Sequence, residues 1–270
     1  MQKELYLKLY TSEENHWWFW GRRNIVRTLI TTTFAQSTRE RPLEILEIGS
    51  GTGGNLKMLD EFGCVSAIEP DPDALKFSKE KSQQLKNFKS IHSGSLPHQL
   101  ALTQERFDLI LLCDVLEHVQ EDAAALMAIR ALLRPQGVLI VTVPALNFLW
   151  SEYDRIHGHC RRYTKRELKQ KLESAPLQFT LLKLAYFNFF MLLPLIAMRF
   201  CDKLLHVQFS VNALNVPVAP LNSLFKIFMR IEALLLLKLS SLPLGSSLVA
   251  VVAFRPSDYG KQSGSDLVAQ

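Results

Sequence analysis

The sequence has few cysteines, and their spacing forms no metal or redox motif. Its four cysteines, Cys64, Cys113, Cys160 and Cys201, lie far apart in 270 residues. None belongs to a C-x-x-C pair, which argues against a disulfide framework and against a structural zinc site. We therefore expect reduced thiols and a cytoplasmic protein.

Long uninterrupted apolar runs are also missing. The first twenty residues carry acidic and polar side chains throughout, which is not the pattern of a signal peptide. The apolar stretch LAYFNFFMLLPLIAM, from Leu184 to Met198, is interrupted by Asn188 and Pro194. Its length of about fifteen residues falls short of the roughly twenty that span a bilayer. The net charge of +5 is small and fits an anionic partner or an ordinary solvated surface equally well.

The most informative stretch is LEILEIGSGTGGNL, from Leu43 to Leu56. A short apolar strand runs into a glycine-rich turn, and a helical pattern follows. Glycines permit positive φ and let a ligand approach the main chain, while a helix N-terminus presents free N–H groups. The pattern predicts a nucleotide-like ligand. Because Gly49, Gly51 and Gly54 also match G-x-G-x-x-G, the turn alone leaves a dinucleotide open.

Strand and helix patterns alternate along the rest of the chain. The predicted strands after the first are 64–69, 88–92, 107–112, 138–143, 177–187 and 248–254, and the predicted helices include 24–34, 73–85, 121–133, 164–174 and 225–239. Asp71 and Pro72 predict one helix start, and Thr164 with Glu167 predicts a capping box at another. The alternation is typical of a doubly wound α/β fold with a mostly parallel, seven-stranded sheet.

We divide the chain into three predicted parts. Residues 1–41 form an N-terminal aromatic extension, 42–260 a ligand-binding domain, and 261–270 a flexible tail. The four rings of Trp17 to Trp20 cannot share one helix face, which predicts a hydrophobic plug or a lid over the pocket. A helical, hydrophobic insertion is predicted at 188–246. It is either a cap buried on the sheet, or a surface for an apolar acceptor or a membrane.

Five ordered segments between about residues 43 and 145 carry a family resemblance. EIGSGTGG, IEPD, GSLP, FDLILLCDVLEHV and LLRPQGVLIVTVP resemble class I S-adenosylmethionine (SAM)-dependent methyltransferases, in particular the ubiquinone-biosynthesis type. The resemblance implies a Rossmann-like fold and SAM as cofactor. The residues it implies for SAM binding are Glu47, Gly49, Ser50, Gly51, Gly53, Glu69, Pro70, Ser95, Leu96, Cys113, Asp114 and His118.

Within that set, Glu69 would hold the ribose diol. Ser95 stands where the family usually has an aspartate that contacts the adenine amine. Some ubiquinone-pathway relatives bind a divalent metal through an acidic-plus-His segment, for which Asp114, Glu117 and His118 would be the ligands here. We favour the alternative without a metal, in which this segment begins a helix and His118 lies near SAM.

The segment from Trp150 to Tyr163 also resembles a pattern of bacterial methyltransferases, with W, then YD, then GH-x-RRY. His159, and less strongly His157, are candidates for a base that deprotonates a hydroxyl acceptor, with Asp154 beside them. Arg161 and Arg162 suit a phosphate or carboxylate on the acceptor. Alternatively, these residues only tie the loop to the N-terminal extension. The predicted substrate-binding residues are Trp18, Arg22, Tyr153, Arg161, Arg162 and Tyr163.

The expected function is SAM-dependent methyl transfer to a small or lipid-like acceptor, at oxygen. N- or C-methylation and a catalytically idle SAM-fold partner subunit remain alternatives. No Tyr-x-x-x-Lys stands where a short-chain dehydrogenase would need it, which disfavours a nicotinamide-dependent enzyme. The Asp/Asn-Pro-Pro-Tyr/Phe signature is absent after the fourth strand, which disfavours nucleic acid as acceptor. Peripheral membrane association and the oligomeric state stay open.

Overall fold

The computed structural model describes residues 3–35, 41–205 and 215–256. The strands in these ranges are β1 (Leu43–Ile48), β2 (Gly63–Glu69), β3 (Phe88–Ser93), β4 (Phe107–Cys113), β5 (Leu133–Pro144), β6 (Phe179–Phe187) and β7 (Ser247–Phe254). The helices are α1 (Lys3–Ser12), α2 (Trp17–Phe34), α3 (Leu56–Asp60), α4 (Pro72–Ser82), α5 (Asp122–Leu132), α6 (Glu152–Ile156), α7 (Lys165–Leu172), α8 (Leu192–Leu205) and α9 (Ala219–Lys238). The predicted tail 261–270 and residues 206–214 of the predicted insertion lie outside the described residues.

The strands form one sheet in the order β3-β2-β1-β4-β5-β7-β6. Strands β1 to β5 pair in parallel, whereas β7 runs antiparallel to both β5 and β6. The predicted doubly wound, mostly parallel, seven-stranded sheet is confirmed. The chain order reverses between β1 and β4, and ligands of such sheets bind at that point, beyond the carboxyl ends of the strands.

The central strands are apolar because both of their faces are covered. Every residue of β4 is buried, as expected for a parallel strand between two helical layers. Side chains of α2, α3 and α9 pack on one face of the sheet. Side chains of α5 and α7 pack on the other.

The N-terminal extension is more helical than the sequence predicted. Helix α2 begins at Trp17, seven residues before the predicted start, because the His16 side chain caps it by accepting from the Trp18 N–H at 3.1 Å. The aromatic rings spread around its first turn, as expected. Trp17 meets Phe225 of α9 edge to face, and Trp18 stacks on Phe187 at the end of β6.

The helices and strands of the predicted insertion also have bounds that differ from the prediction. The stretch from Leu184 to Met198 is not one segment, since β6 continues to Phe187 and α8 begins at Leu192. Helix α9 begins at Ala219, six residues before its predicted start. Pro220 fits in the first turn of this helix because the N–H that proline lacks has no intrahelical acceptor there. Among the described residues, no helix is long and apolar enough to cross a membrane.

Candidate active site

The carboxyl ends of the central strands open into a cavity of about 850 Å³, a volume within the range of small-molecule and cofactor sites. Sixteen of the predicted site residues line it: Trp18, Arg22, Gly49, Ser50, Gly51, Glu69, Pro70, Ser95, Leu96, Cys113, Asp114, His118, Tyr153, His157, His159 and Arg162. Five do not, namely Glu47, Gly53, Asp154, Arg161 and Tyr163. The structure therefore brings most of the predicted SAM-binding residues into one cavity with most of the predicted catalytic and substrate-binding residues, although the two groups are far apart in the sequence.

The glycine turn after β1 has room for a ligand at one position. Gly49 and Gly51 both have positive φ, +76° and +56°. A Cβ on Gly49 would lie 2.4 Å from Val115, whereas a Cβ on Gly51 would meet no atom within 4 Å. Gly51 thus leaves an open approach to the main chain on the cavity side, as binding of a cofactor against this turn requires.

Glu69 closes the same corner from the end of β2. Its carboxylate accepts from the backbone N–H groups of Gly51, at 2.7 Å, and Asp71, at 3.0 Å. Burial raises the pKa of Glu69, and these two hydrogen bonds partly offset the shift. A carboxylate has about four lone-pair sites, so Glu69 retains capacity to accept from a vicinal diol such as that of a ribose.

Glu47 lies behind the turn rather than on the cavity wall. It is fully buried, and Asn55 Nδ2 donates to its Oε1 at 2.7 Å. Its Oε2 is buried without a hydrogen-bond partner, and burial raises the pKa of Glu47 to about 8. Gly53 also faces away, since a Cβ there would lie 3.1 Å from the Ser78 backbone of α4. Both residues shape the turn from behind.

An ion pair between Arg22 and Asp114 joins the N-terminal extension to the end of β4. Asp114 has a φ of +56°, and its Oδ1 accepts from Thr142 Oγ1 at 2.9 Å. Burial opposes the charge on Arg22, but the neighbouring Asp114 more than compensates and raises the pKa of Arg22. Helix α2 thus places a cation on the cavity wall, and the lid stays a prediction.

The loop after β5 contains the short helix α6, which the sequence analysis described only as a loop. Ser151 and Asp154 form a capping box at its start. Asp154 is fully buried and bonds to Nδ1 of His159 at 3.0 Å. Burial opposes ionisation of Asp154, but the His159 hydrogen bond and Arg162 prevail and lower its pKa to about 2. Asp154 is therefore an ionised carboxylate that orients the His159 ring through Nδ1. This leaves Nε2 of His159 available to a methyl acceptor.

His157 has a different environment. Its Nδ1 bonds to the backbone carbonyl of Tyr153 at 2.8 Å, and its ring stacks on that of Tyr153 at 3.9 Å between centroids. Bonding to a carbonyl requires the proton on Nδ1, so Nε2 of the neutral ring carries a lone pair. That Nε2 is buried without a hydrogen-bond partner, and burial lowers the pKa of His157. His157 is thus a neutral acceptor on the cavity wall.

Glu117, His118 and His159 bring three potential metal ligands within 4.8 Å of one another. Both carboxyl oxygens of Glu117 are buried, and neither has a hydrogen-bond partner among the residues that the structure describes. Burial, reinforced by Asp114, raises the pKa of Glu117 well above its usual range. The sequence pattern groups Asp114 with Glu117 and His118 as candidate metal ligands, whereas in the structure His159 takes the place of Asp114. These side chains could hold a divalent cation or a cationic acceptor group.

The guanidinium of Arg162 binds other groups of the protein and is not offered to a methyl acceptor. Its Nε and Nη2 donate to the two oxygens of Asp154, and its Nη1 donates to the Ala145 carbonyl at 3.0 Å. The predicted anion grip is replaced at this residue by support of Asp154. The contacts of Arg162 therefore stabilise the loop itself, whereas the predicted alternative tied the loop to the N-terminal extension.

Arg161 and Tyr163 lie outside the cavity, which runs against their predicted contact with substrate. Arg161 pairs with Asp122 at 2.8 Å, and the Tyr163 hydroxyl donates to the same carboxylate at 2.9 Å. Both residues line a second, smaller cleft. Their contacts attach the loop to the start of α5.

Several cavity residues had no signal in the sequence. Glu13, from the α1–α2 connection, is buried against the glycine turn and accepts from Thr52 Oγ1 at 2.7 Å. Leu195, Met198 and Arg199 of α8 form another part of the wall. These residues belong to segments without a motif, and only the packing of the extension and insertion brings them to the site.

Comparison with known proteins supplies a family. A family model described as a methyltransferase domain matches residues 19–182. A ubiquinone biosynthesis O-methyltransferase of Rhodopseudomonas palustris is 30% identical over 111 residues, covering 41% of this chain and 43% of that protein. A non-reducing polyketide synthase of Penicillium brasilianum is 27% identical over 135 residues, covering 46% of this chain and 5% of that protein. The chain therefore aligns with less than half the length of these curated relatives.

Solved structures share the fold at low sequence identity. The N-methyltransferase NodS of Bradyrhizobium japonicum, in complex with S-adenosyl-L-homocysteine, superposes with a TM-score of 0.52 at 13% identity and covers 87% of each chain. The CurJ carbon methyltransferase superposes with a TM-score of 0.53 at 14% identity, over 87% of this chain and 54% of that chain. At these identities the likeness concerns the fold.

Proposed function

The chain belongs to the methyltransferase-domain family, and on that premise we propose that it transfers the methyl group of SAM to a hydroxyl group of a small or lipid-like acceptor. The family model covers more than half of the chain. The observation that carries the choice of oxygen is the hydrogen bond between buried Asp154 and His159, of which His159 lines the cavity.

The cavity fits SAM at the corner between β1 and β2. Glu69 would accept from the ribose hydroxyls, Gly51 would give the open approach to the backbone, and Cys113 and Asp114 would lie at the carboxyl end of β4. When bound, SAM supplies an activated methyl group, so alignment of the acceptor accounts for most of the rate enhancement that the protein must provide.

The chain's own residues would prepare the acceptor. A hydroxyl is a weak nucleophile until its proton is removed, and Nε2 of His159 is the atom offered for that proton. Asp154, ionised at neutral pH because its pKa is about 2, would stabilise the imidazolium that forms. Arg162 fixes Asp154 in turn. His157, with the lone pair of its Nε2, is the second candidate base.

The rest of the wall favours an apolar acceptor. Trp18 and Phe19 of the extension, and Leu195 and Met198 of α8, contribute apolar surface to the cavity lining. Such a surface would exclude water from the reacting hydroxyl and would bind an aromatic or aliphatic body. A small aromatic compound and a lipid-linked compound both meet this description.

N-methylation is a second candidate because of Glu117. A buried carboxyl group without a hydrogen-bond partner can accept from a neutral or protonated amine. An amine that carries a lone pair needs no base, so this reaction would be insensitive to His159. The two candidates therefore differ in their response to the same substitution.

The test uses purified protein, methyl-labelled SAM and an extract of the host, with mass spectrometry to identify the methylated product. We expect an O-methyl ether or ester, and a His159→Asn variant that binds SAM normally but turns over about 10²- to 10⁴-fold more slowly. His98→Asn is the matched control, since His98 is exposed and lies outside the cavity lining. A His159→Asn variant with the wild-type rate would refute the base, and an N-methyl product would favour the second candidate.

A further inference from the structure

Helix α9 has apolar side chains on two opposite faces. Met229, Ala233 and Leu236 are buried in the core on the side that packs against the rest of the domain. A second row of leucine and isoleucine side chains is between 39% and 57% exposed. It consists of Leu221, Leu224, Ile227, Ile231, Leu234 and Leu237. Their spacing of three and four residues forms one stripe, opposite the buried face.

Helix α8 repeats this arrangement. Leu193, Phe200 and Leu204 are 75%, 64% and 64% exposed, and their spacing of seven and four residues places them on one side of the helix. Leu195 and Met198 lie on the opposite side and line the cavity. Helix α8 is therefore a thin wall with the cavity on one side and an apolar stripe facing solvent on the other.

The connection between β6 and α8 contacts α9. The ring of Phe190 stacks on Phe228 of α9 at 5.2 Å between centroids, and the Phe190 backbone donates to Glu232 at 3.0 Å. We call the solvent-facing stripes of α8 and α9 together the apolar face. Scattered exposed leucines are ordinary, but nine bulky side chains arranged in two helical stripes indicate an interaction surface.

The charge of this segment indicates what kind of partner. Residues 188–246 contain five lysines and arginines but only two acidic residues, Asp202 and Glu232. Glu232 is fully buried and accepts from backbone N–H groups, so it adds no negative charge to the surface. The segment thus has a net charge of +3. Arg199 belongs to the cavity wall, and the exposed Arg230 and Lys238 supply positive charge at the surface of α9.

We propose that the apolar face binds the surface of an anionic lipid bilayer. Helices that combine bulky apolar side chains with lysine and arginine lie in the interfacial region of a membrane, held by apolar burial and by attraction to anionic headgroups. The continuity of α8 with the cavity adds a consequence. A membrane against the apolar face would lie one helix away from the candidate active site, which suits delivery of a lipid acceptor. The surface itself does not depend on methyl transfer.

Flotation of the full chain with vesicles, in the absence of SAM and acceptor, tests this proposal. We expect the protein to float with vesicles of phosphatidylcholine and phosphatidylglycerol. Binding should fall with rising salt and be weaker on phosphatidylcholine alone, because screening and loss of lipid charge both remove the electrostatic attraction. A wild-type protein that does not float with the anionic vesicles would overturn the proposal.

Two triple variants locate the surface. Leu224→Ser, Ile227→Ser and Leu234→Ser remove the stripe of α9, and Leu193→Ser, Phe200→Ser and Leu204→Ser remove that of α8. Each triple variant should lower the vesicle partition coefficient by at least about tenfold, since several buried methylene groups are lost. The matched control combines Leu7→Ser, Met127→Ser and Leu182→Ser, which are exposed apolar positions elsewhere, and it should bind like the wild type. Equal loss in the control, or no loss in the stripe variants, would refute the assignment.

A charge variant guards against misfolding of the serine variants. Arg230→Glu with Lys238→Glu keeps every apolar contact, and we expect it to weaken binding to anionic vesicles with no change in thermal melting temperature. Light scattering distinguishes the main competitor. A wild-type dimer that the α9 variant converts to a monomer, without vesicle binding by either, would assign the apolar face to a second copy of the chain and overturn the proposal.

Discussion

The backbone N–H of Gly51 donates a 2.7 Å hydrogen bond to the carboxylate of Glu69, which joins the glycine turn after β1 to the tip of β2. The two residues are 18 positions apart, yet they form a single corner of the cavity. The turn positions the carboxylate, and the carboxylate fixes the turn. A cofactor bound at this corner would meet a surface that is already organised.

This relationship predicts how SAM binding responds to substitution. Glu69→Gln keeps the size of the side chain but removes its charge and one acceptor oxygen, so we expect about 10- to 100-fold weaker binding of SAM. Isothermal titration calorimetry measures the change, and exposed Glu105→Gln is the control. The same titration with NADH should give no heat, whereas binding of NADH in preference to SAM would contradict the assignment.

The fold could be predicted because its signals are local. The apolar strands, the glycine turn, Asp71 at the start of α4 and the Thr164–Glu167 capping box are each legible within a few residues, and the structure contains all of them. The confirmed sheet follows from their order. Helix α6 was missed even though Ser151 and Asp154 have capping-box spacing, because the basic and aromatic residues around them suggested a loop.

The site could be predicted only where a motif contributed the side chain. The predicted cavity residues from the glycine turn, Glu69 and the loop after β5 lie together, as the ends of neighbouring parallel strands must. The functions of Arg161 and Arg162 were harder to assign, because one guanidinium resembles another until its partner is known. Asp122 and Asp154, which hold these two arginines, lie on different segments. The assigned roles of the site residues stay predictions.

Substitution of Arg161 and Arg162 tests whether each side chain stabilises the loop or binds the acceptor. Arg162→Ala leaves the fully buried Asp154 without its bidentate partner, so we expect destabilisation of about 3–5 kcal/mol and a marked loss of activity. Arg161→Ala removes a partly exposed pair and should cost no more than about 1 kcal/mol, with an unchanged KM for the acceptor. Chemical denaturation and steady-state kinetics measure both. A raised KM in Arg161→Ala would restore the predicted anion grip.

Glu47 predicts a pH dependence of stability. Its folded-state pKa of about 8 lies above its ordinary value of 4.5, so the folded state binds more protons than the unfolded state between these values. Its contribution to stability is therefore complete below pH 4.5 and is lost as the pH rises towards 8. Glu47→Gln should flatten the curve of unfolding free energy against pH by up to about 1.4 kcal/mol per unit in this window. Urea unfolding at several pH values measures it, and parallel curves for the two proteins would refute the prediction.

Methyl transfer should survive exhaustive treatment with EDTA. Of the two carboxylates that the sequence offers for a metal, Asp114 already uses one oxygen for Arg22 and the other for Thr142. The remaining group of Glu117, His118 and His159 contains a candidate base, and metal binding would block it. Labelled-methyl incorporation before and after chelation is the measurement, with added Mg²⁺ and Mn²⁺ as controls. Loss of activity that either ion restores would establish a metal site instead.

Gly21 predicts a specific coupling between the extension and the late insertion. A Cβ at this position would lie 2.6 Å from the side chain of Met229 on α9, so the two helices approach more closely than any larger residue allows. Gly21→Ala should therefore destabilise the protein by about 1–3 kcal/mol, despite the higher helix propensity of alanine. Met229→Gly removes every side-chain atom of this contact, and alone it should also destabilise the protein, because a buried side chain is lost and glycine is unfavourable within a helix. If the contact is the cause, the double variant should be more stable than the sum of the two changes predicts, with an interaction energy of at least about 0.5 kcal/mol. Arg22 is the next residue on α2, so the same displacement should weaken its pair with Asp114 and lower the affinity for SAM in Gly21→Ala, with recovery in the double variant. Strictly additive free energies would show that the close approach of the helices is not what Gly21 provides.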